Sequence, residues 1–343
     1  MGNSTKTALV IGGGPAGMEA ALRVSQAGFE VILVEREAEL GGTVRQLCSS
    51  FPRWENPQEF LDHKIKELYE RPGIKIMLDS TVTEGRRDEK GFIVTISRVD
   101  NTTNEIMHAD ALILATGFEM MDVSIYGEYG YGIYPGVLNA LEFETKLQEW
   151  RQGKGEKPRS VALFKCVGSR DRSKGNPYCS KICCMYTAKQ AGIVKELFPE
   201  AKVFVFYMDY RATGKEYEEF VREVIEQRHV QYVRGRPAKV LPEDGRLLVR
   251  AEDTLLGLPV EAMVDIVVLA SAVVPHPETG KLAEMFGAVT DPYGFIESDR
   301  FNPTQAADGV FFAGGCGFPL EVPFALQQGA AAAANIIAYF NAE

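Results

Sequence analysis

The sequence contains no apolar run approaching the ~18 residues that a membrane-spanning helix requires. Its first residues, MGNSTKTALV, have no apolar core of a secretory signal, and Lys6 stands where the N-myristoylation pattern wants Ser or Thr. Basic residues are in deficit: 37 Lys and Arg against 47 Asp and Glu give a formal net charge of -10. Nucleic acids and anionic membranes both select basic surfaces, so neither is expected as a partner. The expectation is a cytoplasmic protein without a transmembrane segment. Cysteine is scarce, six in 343 residues, yet Cys166, Cys179, Cys183 and Cys184 fall within nineteen positions. In a reducing compartment such a cluster suits ligands or redox groups better than structural disulfides. The remainder is ordinary globular material, 45% hydrophobic and 24% charged, and its length suits two domains.

Thr7 to Ile11 reads as a short buried parallel strand. Gly12-Gly13-Gly14-Pro15-Ala16-Gly17 then places GxGxxG at 12, 14 and 17, followed by an amphipathic helix to about Ala27 and a strand, Val31 to Val34, that ends in Glu35. Gly12 makes the tight turn, Gly14 lets a pyrophosphate approach the backbone, and Gly17 lets helix pack on strand. The helix start at Pro15 and Ala16 faces the phosphates, and Glu35 accepts from a ribose. Arg36 beside that acid, and Gly42 and Thr43 in a second glycine turn, extend the site. With Gly41-Gly42 after the acid, the arrangement resembles the FAD signature of the flavin disulfide-reductase superfamily. That resemblance implies an adenine held by backbone near Val82, and a crossover out of the FAD domain at Ala115-Thr116-Gly117. It also implies a second FAD signature at Gly309–Cys316, where Gly315 replaces the usual Asp. Pro323, Phe324 and Gln327 open a last helix aimed at the flavin pyrimidine. Cys48 and Cys316 read as buried thiols, His63 as a surface or packing residue, and His276 as structural. The glycine-interleaved tyrosines Tyr126, Tyr129, Tyr131 and Tyr134 form either a cover for a ligand or partner, or a packed connector.

A second strand–helix–strand pattern spans Ser160 to Phe164, about Ser180 to Phe198, and Lys202 to Tyr207. Its turn reads Lys165-Cys166-Val167-Gly168-Ser169-Arg170-Asp171, so only one glycine remains where a nicotinamide-binding loop needs several. The fold expected is therefore α/β: two Rossmann-like domains of the thioredoxin-reductase type, the second inserted in the first and degenerate. Residues 1–118 and 276–343 form the FAD domain; 119–275 form the insert, which should not bind NAD(P)H. The cysteines follow C-x12-C-x3-C-C. Four thiolates suit an iron–sulfur cluster, although spacing alone leaves tetrahedral zinc open.

The runs CVGSRD, GNPYCSKICCMYTAKQA, VFYMDYRA and VRGRPA, with GGGPAGMEAAL and EREAELGG, closely resemble the A-subunit family of heterodisulfide reductases over nearly the whole chain. The resemblance implies that Cys166, Cys179, Cys183 and Cys184 ligate a [4Fe–4S] cluster close to FAD, and that Lys189 donates to flavin N5 or O4. The ferredoxin-type CxxCxxCxxxCP motifs of long family members are missing, as in the short form from heterodisulfide reductase-like complexes of sulfur-oxidising prokaryotes. The implied protein is an electron-transfer subunit that works with other subunits of such a complex and self-associates as a homodimer. Two rival readings stay open: a stand-alone NAD(P)H-dependent flavin reductase, and a non-enzymatic docking module around zinc.

Overall fold

The computed structural model describes residues 5–100, 102–174 and 176–342. Asn101, and Gly175 inside the cysteine segment, lie outside the described residues. The chain forms two compact units: residues 1–45, 58–119 and 274–343 make the first, and 46–57 with 120–273 the second. The segment Gln46–Pro57, expected in the first unit, therefore groups with the second.

In the first unit the strands Ile74–Met77, Glu30–Val34, Thr7–Ile11, Ala111–Leu114 and Val310–Phe312 lie side by side in that order, all parallel, with Gln305–Ala307 antiparallel at the edge. Ala111–Leu114 is buried at every position, as a strand covered on both faces must be. The helix Pro15–Gln26 packs against Val322–Ala342 so closely that a Cβ at Gly329 would lie 2.3 Å from the Ala16 carbonyl oxygen. A glycine is what permits that approach. An antiparallel sheet of Ser80–Asp88, Gly91–Arg98 and Asn104–Ala109 completes the unit.

The second unit repeats the plan. Gln231–Arg234, Lys202–Tyr207, Ser160–Val167 and Ile266–Ser271 form a parallel sheet in the corresponding order, and its fifth strand, Val137–Asn139, comes before them in the chain where that of the first unit comes after. Lys239–Glu243, Arg246–Asp253 and Leu258–Val264 form its antiparallel sheet. The helix Ala140–Arg151 starts at a capping box, with Asn139 accepting from the Leu141 and Glu142 amides while Glu142 accepts from the Asn139 amide. Tyr126 and Tyr129 are fully buried in this unit's core. Their hydroxyls donate to Asp171 Oδ2 at 2.8 Å and the Pro237 carbonyl at 3.1 Å. For these two the connector reading holds, whereas Tyr131 and Tyr134 are only half-buried. Among the described residues, no helix is long and apolar enough to cross a membrane.

Candidate functional site

In the first unit the turn Gly12–Gly14 joins strand to helix. Gly12 has φ +114°, and a Cβ there would meet the Ala115 oxygen at 2.2 Å; one at Gly17 would meet the Gly12 oxygen at 1.9 Å. These two glycines are dictated by backbone packing. A Cβ on Gly14 or Gly117 would instead meet nothing within 4 Å, and one on Gly42 only the Gly14 Cα at 3.4 Å. An open face thus lies over Gly14, Gly42 and Gly117, bordered by the helix start at Pro15 and Ala16, where free amides and the helix dipole favour an anion.

The buried Glu35 carboxylate braces the rim by accepting from the Gly13 amide at 2.6 Å and the Glu37 amide at 2.8 Å. Arg36 bonds the His276 ring, and His276 also caps the helix Pro277–Met285 by accepting from the Glu278 amide. Thr116 shares a hydroxyl contact of 2.8 Å with Thr279, and the Ala115 amide donates to Ile11. Thr43 is half-buried in a short 3-10 turn, and Val82 is buried in the strand Ser80–Asp88. Pro323, Phe324 and Gln327 are exposed on the first turns of the last helix; Gln328, which the sequence reading passed over, accepts from the Gly314 amide at 2.8 Å. At Gly315, where the resemblance implies an Asp, a Cβ would lie 2.4 Å from the Phe118 ring. Cys316 is buried with its thiol on the Leu114 and Ala313 carbonyls, and burial pushes its pKa up to about 11.

The second unit diverges at the equivalent turn. The strand Ser160–Val167 runs on past the place where the first unit turns, and its register against Ile266–Ser271 slips between Phe164 and Val167. Cys166 sits in that slip at φ +61°, a conformation seldom taken by a side-chain-bearing residue. A connection holding the 3-10 turn Arg172–Lys174 and an Asp171–Asn176 bridge follows, and the helix Cys183–Leu197 begins with no side-chain cap. Cys183 and Cys184 thus occupy the first positions of the helix, and Cys179 lies on the loop before it rather than on a preceding helical turn.

The Cys183 thiol is within hydrogen-bonding reach of both Cys166 and Cys184. Sharing the Cys183 proton, aided by Lys165, lowers the Cys184 thiol to about 5, and Cys166 is lowered chiefly by Cys183. Backbone amides add to this: Arg211 donates to Cys184 Sγ at 3.3 Å, and Lys181 to Cys179 Sγ at 3.4 Å. Among the described residues, no three His, Cys, Asp or Glu side chains are gathered into a finished metal-ligand group. The chemistry of the donor set nevertheless suits a soft metal centre: Cys183 and Cys184 start a helix, Cys166 lies at the strand slip, Cys179 lies on the loop before the helix, and the buried Lys165 Nζ has no oxygen or nitrogen partner.

A third cluster surrounds Lys189, which is 1% exposed. Its Nζ donates to Glu144 Oε1 at 2.7 Å and to the Ser49 carbonyl at 3.0 Å. Glu144 also accepts from the Cys48 amide and thiol, both at 3.0 Å, and from Gln190 Nε2 at 2.7 Å. Burial, with Glu144 next, pushes the Cys48 thiol up to about 12. Sequence reasoning missed Glu144, although a signal exists: it falls on the buried stripe Ala140, Phe143, Glu144, Leu147, where a carboxylate needs a partner.

Residues 6–162 match the family model for pyridine nucleotide-disulphide oxidoreductases. The chain is 33% identical to an iron–sulfur A-subunit of CoB–CoM heterodisulfide reductase from Methanopyrus kandleri and 31% identical to the one from Methanocaldococcus jannaschii. Each match covers 96% of this chain and 64% of the relative, so the chain spans under two thirds of their length. Among solved structures it resembles the thioredoxin reductase of T. acidophilum, with a TM-score of 0.69 at 16% identity over 97% of this chain and 98% of that one. It also resembles a NAD-dependent persulfide reductase of A. fulgidus, with a TM-score of 0.59 at 21% identity over 96% of this chain and 59% of that one. Those two likenesses establish the fold alone: two Rossmann-like units of the flavin disulfide-reductase type.

Proposed function

We propose, from a chain homologous to the heterodisulfide reductase A-subunits over 96% of its length, that it is a flavin-dependent oxidoreductase subunit that moves electrons between FAD and a [4Fe–4S] cluster. The reading further assigns it to a cytoplasmic heterodisulfide reductase-like complex that acts on thiol/disulfide or sulfane sulfur in dissimilatory sulfur oxidation. In that complex other subunits carry most of the substrate site, and this chain pairs as a homodimer.

The observation that carries the reading is the contrast between the two turns. Gly14 leaves an open position beside a helix start in the first unit, whereas the second unit places the buried Lys165 with Cys166 at the end of the strand and Cys183 and Cys184 at the start of the helix. FAD would be held by Gly12, Gly14, Pro15, Ala16, Gly17, Glu35, Arg36, Gly42, Thr43, Val82, Ala115–Gly117, Gly315, Pro323, Phe324 and Gln327. The cluster would be held by Cys166, Cys179, Cys183 and Cys184. When bound, the flavin exchanges electrons in pairs and the cluster singly.

The protein's own part is electrostatic. The amides of Arg211 and Lys181 donate to sulfur and stabilise thiolate. Glu144 and the Ser49 carbonyl hold Lys189 as a fixed ammonium. Through the resemblance, Lys189 serves the reactive edge of the flavin, where positive charge favours the reduced anionic ring.

The test is anaerobic purification with metal analysis, an absorption spectrum and electron paramagnetic resonance. The expected result is about four irons per FAD, the content of one cubane cluster, and no bleaching by NAD(P)H alone. Zinc in place of iron, or rapid bleaching by NADPH, overturns the reading.

A further inference from the structure

Lys165 stands out in the second unit because nothing in the described fold explains its charge. It lies on the strand Ser160–Val167, is 5% exposed, and its Nζ has no oxygen or nitrogen partner. Three tyrosine rings surround it: Nζ is 5.4 Å from the Tyr207 ring centre, 5.8 Å from Tyr210 and 5.6 Å from Tyr232. The Tyr232 hydroxyl, also buried, has no partner either. Aromatic faces attract a cation, but they do not replace its lost hydration or supply a counter-charge. A buried ammonium persists when an anion compensates it, and all the ring neighbours are neutral. The groups near it that can carry negative charge are thiols. Cys166 follows it directly on the strand, and Arg211, next to Tyr210 of the cage, turns its amide onto the Cys184 sulfur at 3.3 Å.

We propose that Lys165 is the charge-compensating residue of the four-cysteine centre, a tyrosine-caged cation that acts through the thiolates and sets the reduction potential of the metal group they hold. This rests on the functional reading above but adds a residue that is no ligand. A four-thiolate cluster is a net anion that gains another negative charge on reduction. A fixed cation beside it stabilises the reduced form more than the oxidised one and raises the potential. The tyrosine cage holds the ammonium away from solvent, so its field is poorly screened. Because Lys165 adjoins a cysteine at a strand slip, the backbone that aims the thiol also fixes the cation.

The test uses the full chain, purified anaerobically as wild type, Lys165→Met, Lys165→Arg and, as a control for net charge, Lys202→Met at an exposed strand end. Flavin absorbance and circular dichroism verify folding; iron content and redox titration monitored by electron paramagnetic resonance are the readouts. The expected result is iron at the wild-type level, a midpoint potential shifted negative in Lys165→Met, and wild-type potentials in Lys165→Arg and Lys202→Met. Loss of iron in Lys165→Met with retention in Lys165→Arg supports the same role, since charge alone then decides assembly. An unmoved potential in iron-loaded Lys165→Met overturns the proposal while leaving the cluster assignment standing. Equal loss of iron in both Lys165 variants assigns the effect to packing and also overturns it. A wild-type protein that binds no metal overturns both readings together.

Discussion

Replacing Glu144 with Gln should be the most destructive near-isosteric change in the second unit. The substitution keeps the shape of a side chain that is 1% exposed but removes its charge, leaving the Lys189 ammonium, equally buried, without its counter-ion. Breaking one side of a buried pair costs about 3–5 kcal/mol, because the remaining charge is neither hydrated nor paired. The Ser49 carbonyl still accepts from Lys189, and the new amide oxygen can accept from Cys48 or Gln190, which places the expected loss near the lower bound. Replacing both residues, as Glu144→Gln with Lys189→Met, should cost at least about 2 kcal/mol less than the two single losses added together, since neither charge remains to be orphaned. Urea unfolding followed by tryptophan fluorescence is the assay: the only two tryptophans, Trp54 and Trp150, both lie in the second unit.

The pH dependence supplies a second check. Burial alone would raise the Glu144 carboxyl, but Lys189 and the Cys48 amide outweigh it and the net shift is downward. A lowered folded-state pKa contributes stability above the ordinary carboxylate range, and that stability is lost as pH falls through the folded value. The wild-type and Glu144→Gln curves should therefore converge in acid and separate toward neutrality. Single variants within about 0.5 kcal/mol of wild type, the range of unremarkable surface changes, or strictly additive losses would refute the reasoning.

Gly17→Ala should abolish flavin retention, since its Cβ would sit 1.9 Å from the Gly12 oxygen and neither backbone segment can yield; flavin absorbance per protein measures it. Gly315→Asp restores the usual family residue yet should weaken flavin binding, because the new side chain strikes Phe118, and adding Phe118→Ala should recover it. Cys316 and Cys48, with thiols pushed to about 11 and about 12 chiefly by burial, should alkylate at pH 8 at least about a hundredfold more slowly than a free cysteine. Peptide mass spectrometry of iodoacetamide-treated protein reads this, and rapid labelling of either residue in the folded state would contradict it.

The parts legible in the sequence were those encoded by contiguous residues. Thr7–Ile11, the glycine turn and Glu30–Val34 announce themselves because a covered parallel strand is a continuous apolar run and the turn needs glycines at fixed spacing. The edge strands Lys239–Glu243 and Leu258–Val264 do not announce themselves, because Lys239, Pro242 and Glu243 in the first and Pro259 and Glu261 in the second are exposed and break the apolar pattern. Gln46–Pro57 was misplaced for a different reason. Its affiliation rests on distant partners: Trp54 packs against Gly192 and lies 4.1 Å from the Arg228 guanidinium, while the Ser49 carbonyl meets Lys189. Nothing local records such contacts. Glu144 was missed similarly, since a glutamate in a helix reads as solvated until its stripe is recognised as buried.

The two units pose the same electrostatic problem and, on the proposed reading, solve it with different chemistry. In each, a parallel strand leads through a turn to a helix whose first amides are unpaired and carry partial positive charge. In the first unit the turn is three glycines, and its open face suits an oxygen anion supplied from outside. In the second the strand runs further, the turn lengthens to residues 168–182, and the helix begins on two cysteines whose sulfurs bring the negative charge from within. A helix start that favours a pyrophosphate equally favours thiolate over thiol. The exchange leaves the order of the four strands around this turn intact in both units. It also leaves a physical trace: by strand register Lys165 takes the place of Gly12, and Cys166, next to it, carries a side chain in the left-handed region.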